Sequence, residues 1–593
     1  MLHTEYPMKR ARLVSTFALA GATALLASAA SAQTAATCGG GSCTIWNTQI
    51  TTPTTWCDGG ATSGGSEDTI ILEEPIFVSS VLTIEPGCIV RGQPRTVAFD
   101  SMNPTVGAPG VLIISQDGYL DAQGSATNPI TFTTAAPDET DTNGAAGADG
   151  RADDTDDDVS TGLTAWTSGD AFLDDTPTTN PLAPLDAAGA QNVQLWGGLV
   201  ILGHAPTNLE EDNTVGYGRE TIEGLAVPGF PAGGATYGGY EPHDSSGIIR
   251  YVSVRHAGDV INPNNELNGV TLGGVGDGTI FENIEVYTNQ DDGVEYFGGT
   301  LNSKNLVISY VGDDSLDLDQ GYNGSIQNVL AISTFFNQDN GTDYGNGGSG
   351  DALGEWDGDD CTGNCNVQGS LDDASIADVA WPIGAPAIYN FTGMGNQVSG
   401  GTNPAVSDAS PNRGIRMRND FEGILANSII VNTGTACYTV ASPSNPDVPD
   451  QVHVVSTTCS SESLTPDAGG LLAAARGDDA VDAGEYQGGS DNYCDSASCD
   501  GGVGAAAATL LVQDDTRFEP KCAAATVAGK LDGCKASEID PRPDPGAPAA
   551  QVGGGIQPTG VGLDRSATYR GAFPAGVPKW TDTWTALDQG DIL

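Results

Sequence analysis

Phe281-Glu282-Asn283-Ile284-Glu285-Val286-Tyr287, Ser303-Lys304-Asn305-Leu306-Val307-Ile308-Ser309 and Ile326-Gln327-Asn328-Val329-Leu330-Ala331-Ile332 are three versions of one segment, their asparagines 22 and 23 residues apart. A repeat of that length, built from short β-rich stretches, belongs to a solenoid whose units stack on their neighbours. Within each copy the apolar residues alternate: Ile284 and Val286, Leu306 and Ile308, Val329 and Ala331. A period of two means strand, with one face turned inward. The connectors, such as Gly298-Gly299 and Gly321-Tyr322-Asn323-Gly324, are turn-forming and not helical, so successive strands coil without intervening helices. The expected fold is all-β, a right-handed parallel β-helix, its hand following from the rule for parallel crossovers. The recurring asparagines are expected to stack and pass amide hydrogen bonds from coil to coil.

Upstream, Ile249-Arg250-Tyr251-Val252-Ser253-Val254 fits the same frame if Asp259 to Asn268 is an inserted loop; downstream, Leu425-Ala426-Asn427-Ser428-Ile429-Ile430 offers another copy. Earlier segments, among them Val81-Leu82-Thr83-Ile84, Val111-Leu112-Ile113-Ile114 and Leu199-Val200-Ile201-Leu202, extend the pattern. The solenoid is thus expected over residues 70–435, with inserts near 137–190 and 339–384. Residues 33–69 read as a Cys-containing N-terminal cap. Residues 436–593, with Ala-, Gly- and Pro-rich stretches and six cysteines, read as a disulfide-rich C-terminal cap, because an exposed end coil is a pairing edge.

The 593 residues include 81 glycines and only 6% aromatics, a composition foreign to coiled coils and helical bundles. With 22 Lys and Arg against 77 Asp and Glu, the net charge of −55 excludes nucleic acid as a partner. Lys9, Arg10 and Arg12 precede an apolar run from Leu13 to Leu26, and Ala30-Ser31-Ala32 offers a signal-peptidase site. Residues 1–32 therefore read as a signal peptide and the mature chain as extracellular, cell-surface or periplasmic. No later stretch is long and apolar enough for a transmembrane helix. Twelve cysteines in an exported chain point to disulfides. Cys361/Cys365 and Cys494/Cys499 read as loop staples, and their spacing and the scarcity of histidine argue against zinc.

Val81-Leu82-Thr83-Ile84-Glu85-Pro86-Gly87, Trp196-Gly197-Gly198-Leu199-Val200-Ile201-Leu202-Gly203, Asp291-Asp292-Gly293-Val294-Glu295-Tyr296-Phe297-Gly298-Gly299, Gly312-Asp313-Asp314-Ser315, Asp319-Gln320-Gly321-Tyr322 and Trp580-Thr581-Asp582-Thr583-Trp584 resemble a family of secreted bacterial β-helix repeat proteins. Many of its members are lipoproteins or surface proteins with no established reaction. The resemblance covers most of the mature chain and implies a surface protein with a binding or structural role. Cys38, preceded by Ala-Ala-Thr, does not form a lipobox, so the family's lipid anchor does not carry over.

The repeat offset of 22 residues places Asp291 over Asp313, Asp292 over Asp314 and Glu295 over Asp317. Adjacent coils lie about 4.8 Å apart, so stacked carboxylates repel unless some are protonated or a cation neutralises them. Oxygen-only donors favour Ca²⁺, with Asp292, Glu295, Asp314, Asp317 and Asp319 as ligands. Turn capping by the same aspartates is the bland alternative. A catalytic alternative uses Asp291, Asp292, Asp313 and Asp314, because Asn289-Gln290-Asp291-Asp292-Gly293 resembles the paired-aspartate segment of polygalacturonases, which protonate a leaving oxygen and activate water with carboxyl groups. Arg255 and Lys304, or Arg219, would then hold an acidic sugar. The chain has no Gly-His-Gly and no Arg-Ile-Lys to complete that pattern. Weaker signals are the acidic run Asp138 to Asp158, Glu355 and Asp357 beside the Cys361/Cys365 pair, and Trp356, Trp381, Trp580 and Trp584, which suit either sugar stacking or packing. The functional expectation is a secreted, calcium-stabilised β-helix surface protein with a binding or structural role towards polysaccharide or the cell envelope; the alternative is a polysaccharide hydrolase or lyase that uses the stacked carboxylates.

Overall fold

Each repeat forms one coil of a parallel β-helix. In the computed structural model Ile280–Asn289, Asn302–Val311, Ser325–Ile332 and Ala387–Met394 pair in parallel, with Ile284, Leu306, Val329 and Phe391 in one register column. The structure describes residues 36–39, 42–45, 49–58, 69–95, 107–136, 193–209, 218–222, 225, 233–262, 265–333, 351–358, 382, 384–395, 413–419, 421–433, 437–440, 452–461, 493–494, 511–513, 539–543, 555–589 and 593. The expected signal segment, the insert near 137–190 with its acidic run, Cys361/Cys365, Cys499 and Trp381 lie outside them.

Two sheets carry the coils, one of eighteen strands and one of ten, both built by parallel pairing apart from a short hairpin at Ala36–Gly39 and Ser42–Ile45. Asn283, Asn305 and Asn328 sit within the long strands at φ of 58°, 61° and 60°. That left-handed conformation bends the strand, and asparagine tolerates it better than most L-residues. Asn305 Nδ2 donates to Asn283 Oδ1 at 2.9 Å and Asn328 Nδ2 to Asn305 Oδ1 at 2.8 Å, the expected ladder. Asn390 and Asn427 take the same conformation, but their amides donate to the carbonyls of Tyr569 and Ile556. Tyr251 holds the equivalent position upstream at φ 49°.

The alternating residues of the repeats point inward to one continuous core, in which Ile284, Val286, Leu306, Ile308, Val329 and Ala331 are all at most 1% exposed. The opposite face of the same strands is apolar as well. Tyr287, Val307, Tyr310, Leu330, Ile332, Met394 and Ile429 pack against Ala572, Phe573, Ala586 and Leu587. Within the expected C-terminal cap, residues 555–589 run as a strap along the outside of the longer sheet, while most of 441–554 lies outside the described residues. Gln327 exchanges hydrogen bonds with the backbone of Asp564, Ala572 N donates to Thr392 Oγ1, and Trp584 meets Tyr251 edge-on at 5.6 Å. Glu285 accepts from the backbone N–H groups of Ala586 and Leu587 at the start of the short helix Ala586–Gln589. The alternation leaves an apolar outer face that needs cover, and the strap supplies it.

Other boundaries also move. Ser42–Ile45 already pairs with Thr69–Leu72, and Ile424–Ala426 and Ile429–Thr433 pair onward with His453–Val455 and Thr458–Ser461, so coils extend past both 70 and 435. The expected insert 339–384 contains a genuine strand, Ala352–Asp357, between Leu316–Asp319 and Arg413–Arg418 in the shorter sheet. Its Gly/Asp-rich surroundings concealed it. The expected loop after Asp259 is a small hairpin, Val260–Asn262 with Asn265–Glu266. Cys57 and Cys88 form a disulfide across two N-terminal coils, Cα atoms 5.6 Å apart. Neither residue belongs to the local pairs read from sequence.

Replacing Asn305 with Ala should cost about 2 kcal/mol, from the lost left-handed preference and the two ladder bonds, and lower the melting temperature of the mature protein. Deleting residues 555–593 should expose the outer apolar face; the expected readout is a lower melting temperature with strong binding of a hydrophobic dye to the folded species.

Candidate functional site

The outer face of the ten-strand sheet changes character along its length. In its first half the outward residues are apolar: Phe77, Val111, Ile113, Val200 and Leu202 pack with Ile222, Leu225, Ala235 and Tyr237 from residues 218–238. That cover ends at Phe297, and beyond it the outward positions become ionic. The register sets Thr271 beside Glu295, Glu295 beside Asp317, Asp317 beside Glu355 and Glu355 beside Arg416. A parallel row holds Asp319 next to Phe297 and Asp357 next to Arg418. The inward partners Val294, Tyr296, Leu316, Leu318, Trp356, Ile415 and Met417 belong to the core, so the period of two alone sends these charges outward.

One end of the band is neutralised by arginine. Arg416 Nη1 lies 2.8 Å from Glu355 Oε2 and 3.1 Å from Asp351 Oδ2. Arg418 pairs with Asp357 at 2.6 Å and with Glu355 at 2.5 Å. Both guanidinium groups remain about one-third exposed. The alternation of Ile415 and Met417 with Arg416 and Arg418 was the available signal for them.

The other end is a carboxylate stack, and here the 22-residue offset holds. Glu295 lies beside Asp317, and Asp292 Oδ1 accepts the backbone N–H of Asp314 at 2.9 Å. The turns fit closely at Gly293, where a Cβ would come within 2.5 Å of the Ser315 carbonyl oxygen. Asp292 and Asp314 are 8% and 3% exposed; Asp291, Asp313, Glu295, Asp317 and Asp319 are half-buried. Oxygens of Asp292, Glu295 and Asp317 lie within 4.8 Å of one another, as do those of Asp291, Asp292 and Asp313. Burial, then the charges of Asp291, Asp317 and Asp313, pushes Asp292 well above the ordinary carboxylate range. Burial, then Asp313, does the same to Asp314, and burial, then Glu295 and Asp319, to Asp317. Asn268 Nδ2 donates to Glu295 Oε2. A donor set made only of oxygens suits Ca²⁺.

Arg255 and Lys304 do not join this site. Both lie on strands of the longer sheet. Arg255 is 3% exposed and donates to Ser253 Oγ and to Gln589 Oε1 of the strap, while Lys304 Nζ sits 3.2 Å from Glu282 Oε2. Arg255 is thus consumed by strap docking and is not available to hold a sugar. Arg219 directly precedes Glu220–Thr221, which pairs with Thr236–Tyr237 of the covering segment. Trp356 and Trp584 are wholly buried, and Trp580, itself in the strap, stacks on Phe573 with centroids 5.2 Å apart. No helix among the described residues is long and apolar enough to cross a membrane.

This sheet, its coil order and its ionic face define a parallel β-helix repeat protein. Residues 178–468 match the family model described as a pectate-lyase-like β-helix domain, and that stretch contains the whole ionic band. No curated protein and no solved structure matches the chain significantly.

The raised carboxyls set the pH response of the metal-free protein. Their folded-state values lie above the unfolded ones, so the stability they confer is full below the unfolded value and is lost as pH rises through the folded one. Chelator-treated protein should therefore melt at a higher temperature near pH 5 than near pH 8, and the single change Asp314→Asn should flatten that slope.

Proposed function

We propose that the mature chain is an exported polysaccharide-binding solenoid whose working surface is the ionic band of the ten-strand sheet, with Ca²⁺ held by Asp292, Glu295 and Asp317. The observation that carries this reading is the change of one sheet face from covered apolar side chains to carboxylates and two arginines on four successive strands. The matched domain description, pectate-lyase-like β-helix, points to a polysaccharide-related role, binding or degradation. A chain-like ligand suits a solenoid because it crosses many coils at once. Arg416 and Arg418 supply planar donors for carboxylates of an acidic sugar, and a bound cation would relieve the repulsion between that sugar and the neighbouring carboxylate stack. Export is supported by the basic, apolar and small-residue sequence of residues 9–32.

Binding is favoured over cleavage because Asp292 and Asp314, the carboxyls with the most perturbed surroundings, are almost fully covered and do not offer a proton to a polymer lying on the surface. The test is to incubate mature protein with neutral and uronate polysaccharides, with and without Ca²⁺, following retention of the polymer together with release of reducing ends and unsaturated products. Expected are Ca²⁺-dependent retention of the uronate polymer, a roughly tenfold loss in Arg416→Ala or Asp317→Asn, as for one charge-assisted contact, and no products. Products that vanish in Asp292→Asn would make the stack catalytic instead, and retention of no polymer would remove the reading.

A further inference from the structure

The chain that leaves strand Gly198–Leu202 runs along the solenoid axis, past the ends of the strands that carry the ionic band. Gly203 N donates to the Gly273 carbonyl at 2.8 Å and Ala205 N to that of Gly274 at 2.7 Å; the Pro206 carbonyl accepts from Gly299 N at 2.8 Å, and Asn208 N donates to the Gln320 carbonyl at 3.0 Å. Asn208 Nδ2 then reaches the Gly358 carbonyl at 3.1 Å. Residues 203–208 are thus bonded in turn to the ends of Val270–Gly273, Val294–Phe297, Leu316–Asp319 and Ala352–Asp357. Asn208 is 3% exposed, and a Cβ at Gly321, where φ is 76°, would stand 3.1 Å from Asn208 Cβ, so this side chain is seated against the turn that follows Asp319.

The tie matters most at its far end. Val294–Phe297 and Leu316–Asp319 are reached from the long strands before them through the tight turns 290–293 and 312–315, and they register residue for residue along their whole length. Ala352–Asp357 and Arg413–Arg418 are entered only after the intervals 333–351 and 395–412, and a long connection restrains the strand it leads to less than a tight turn does. The register between Leu316–Asp319 and Ala352–Asp357 stops at Leu318 beside Trp356, short of Asp319 and Asp357. Asn208 spans that gap, with one bond to the residue after Asp319 and one to the residue after Asp357. From there the connection passes to the arginine: Gly358 N donates to the Arg418 carbonyl at 3.2 Å, and Arg418 Nε donates to Asp357 Oδ1 at 2.6 Å. The Gly358 carbonyl also accepts from Gly384 N at 3.1 Å, but Gly384 lies later in the chain, so Asn208 is the link back to the preceding coils.

We propose that residues 203–208 are a transverse splint that sets the spacing of the ionic band, with Asn208 as the positioning residue for Asp357 and, through it, for Arg418. The splint holds the arginine end of the band at a fixed distance from the carboxylate end, which a polymer engaging both ends at once requires. The inference rests on the reading of the band as the binding surface and adds to it a residue that touches no ligand.

The test combines residue-resolved amide hydrogen exchange of the mature protein with retention of a uronate polymer, in wild type, Asn208→Ala, Asn208→Leu and Thr207→Val. Asn208→Leu keeps the side-chain volume and removes only the amide, so a folding defect in Asn208→Ala does not blunt the test. Thr207→Val is the control for stability alone: its Oγ1 donates to the Gly218 carbonyl at 3.0 Å, a bond of the same kind on the same segment, made to the covering loop and not to the band. Both Asn208 variants are expected to exchange the Gly358 amide roughly tenfold faster, as for one lost hydrogen bond, and to retain the polymer several-fold less well, whereas Thr207→Val lowers the melting temperature and changes neither. Unaltered Gly358 exchange in both Asn208 variants, faster exchange with full retention, or an equal loss of retention in Thr207→Val would each overturn the proposal. A wild type that retains no polymer sinks the functional reading instead, and exchange alone then decides whether the splint holds the Arg418 strand in place.

Discussion

Parallel stacking brings each side chain to within about 4.8 Å of its counterpart in the next coil, and the rest of the structure follows from what each residue type does under that constraint. Apolar columns become the core. Asparagine carries both a donor and an acceptor, so Asn283, Asn305 and Asn328 bond in series, each bond adding on the order of 1 kcal/mol. Tyr287 and Tyr310 relieve their stacking by turning edge to face, centroids 5.9 Å apart. Carboxylates have no such remedy. A like-charged pair at coil spacing costs about 3 kcal/mol at an effective dielectric near 20, and the chain stacks several. It responds with raised proton affinity at Asp292, Asp314 and Asp317, with arginines at the Glu355 and Asp357 end, and, in our reading, with cations.

The second constraint is that a strand has two faces. Wherever the outer face is apolar, this chain covers it with its own segments: residues 218–238 over the first half of the shorter sheet and the 555–589 strap over the longer one. The strap also explains a charged residue in a dry place. Arg255 stands beside Glu285, whose carboxylate it helps to hold against burial, and that carboxylate in turn receives the N–H groups of Ala586 and Leu587. An arginine that a sequence reading assigns to a sugar is the strap's anchor.

The ladder, the inward residues and the carboxylate stack were legible because an unbroken offset of 22 or 23 residues reports three-dimensional register directly. Where residues are inserted, that offset disappears. The coil carrying Asn390 follows the residues after Ser333, and the strand Ala352–Asp357 lies inside the same long interval, so neither aligned with the repeat by spacing. Arg416 and Arg418 were missed for this reason: their strand alternates correctly, but nothing local says that it lies two strands from Asp317. The disulfide Cys57–Cys88, the strap and the cover over Phe77 and Val200 are contacts between distant parts of the chain, and alternation is silent on which outer face will be covered.

The ionic band is not a device for stability. Half-buried ion pairs such as Arg418 with Asp357 and Glu355 gain little over apolar residues of similar size once desolvation is counted, and stacked carboxylates are a net cost. The same sheet displays the lower-energy arrangement a few strands earlier, where Phe77, Ile113 and Val200 lie under a loop. The fold can therefore close this face with apolar side chains and does so until Phe297. From Glu295 onward it presents charge at regular spacing, with Glu295, Asp317, Arg416 and Arg418 half-buried and Glu355 and Asp357 buried. That arrangement makes sense if the missing compensation comes from outside the chain, as cations and as a polymer long enough to span several coils.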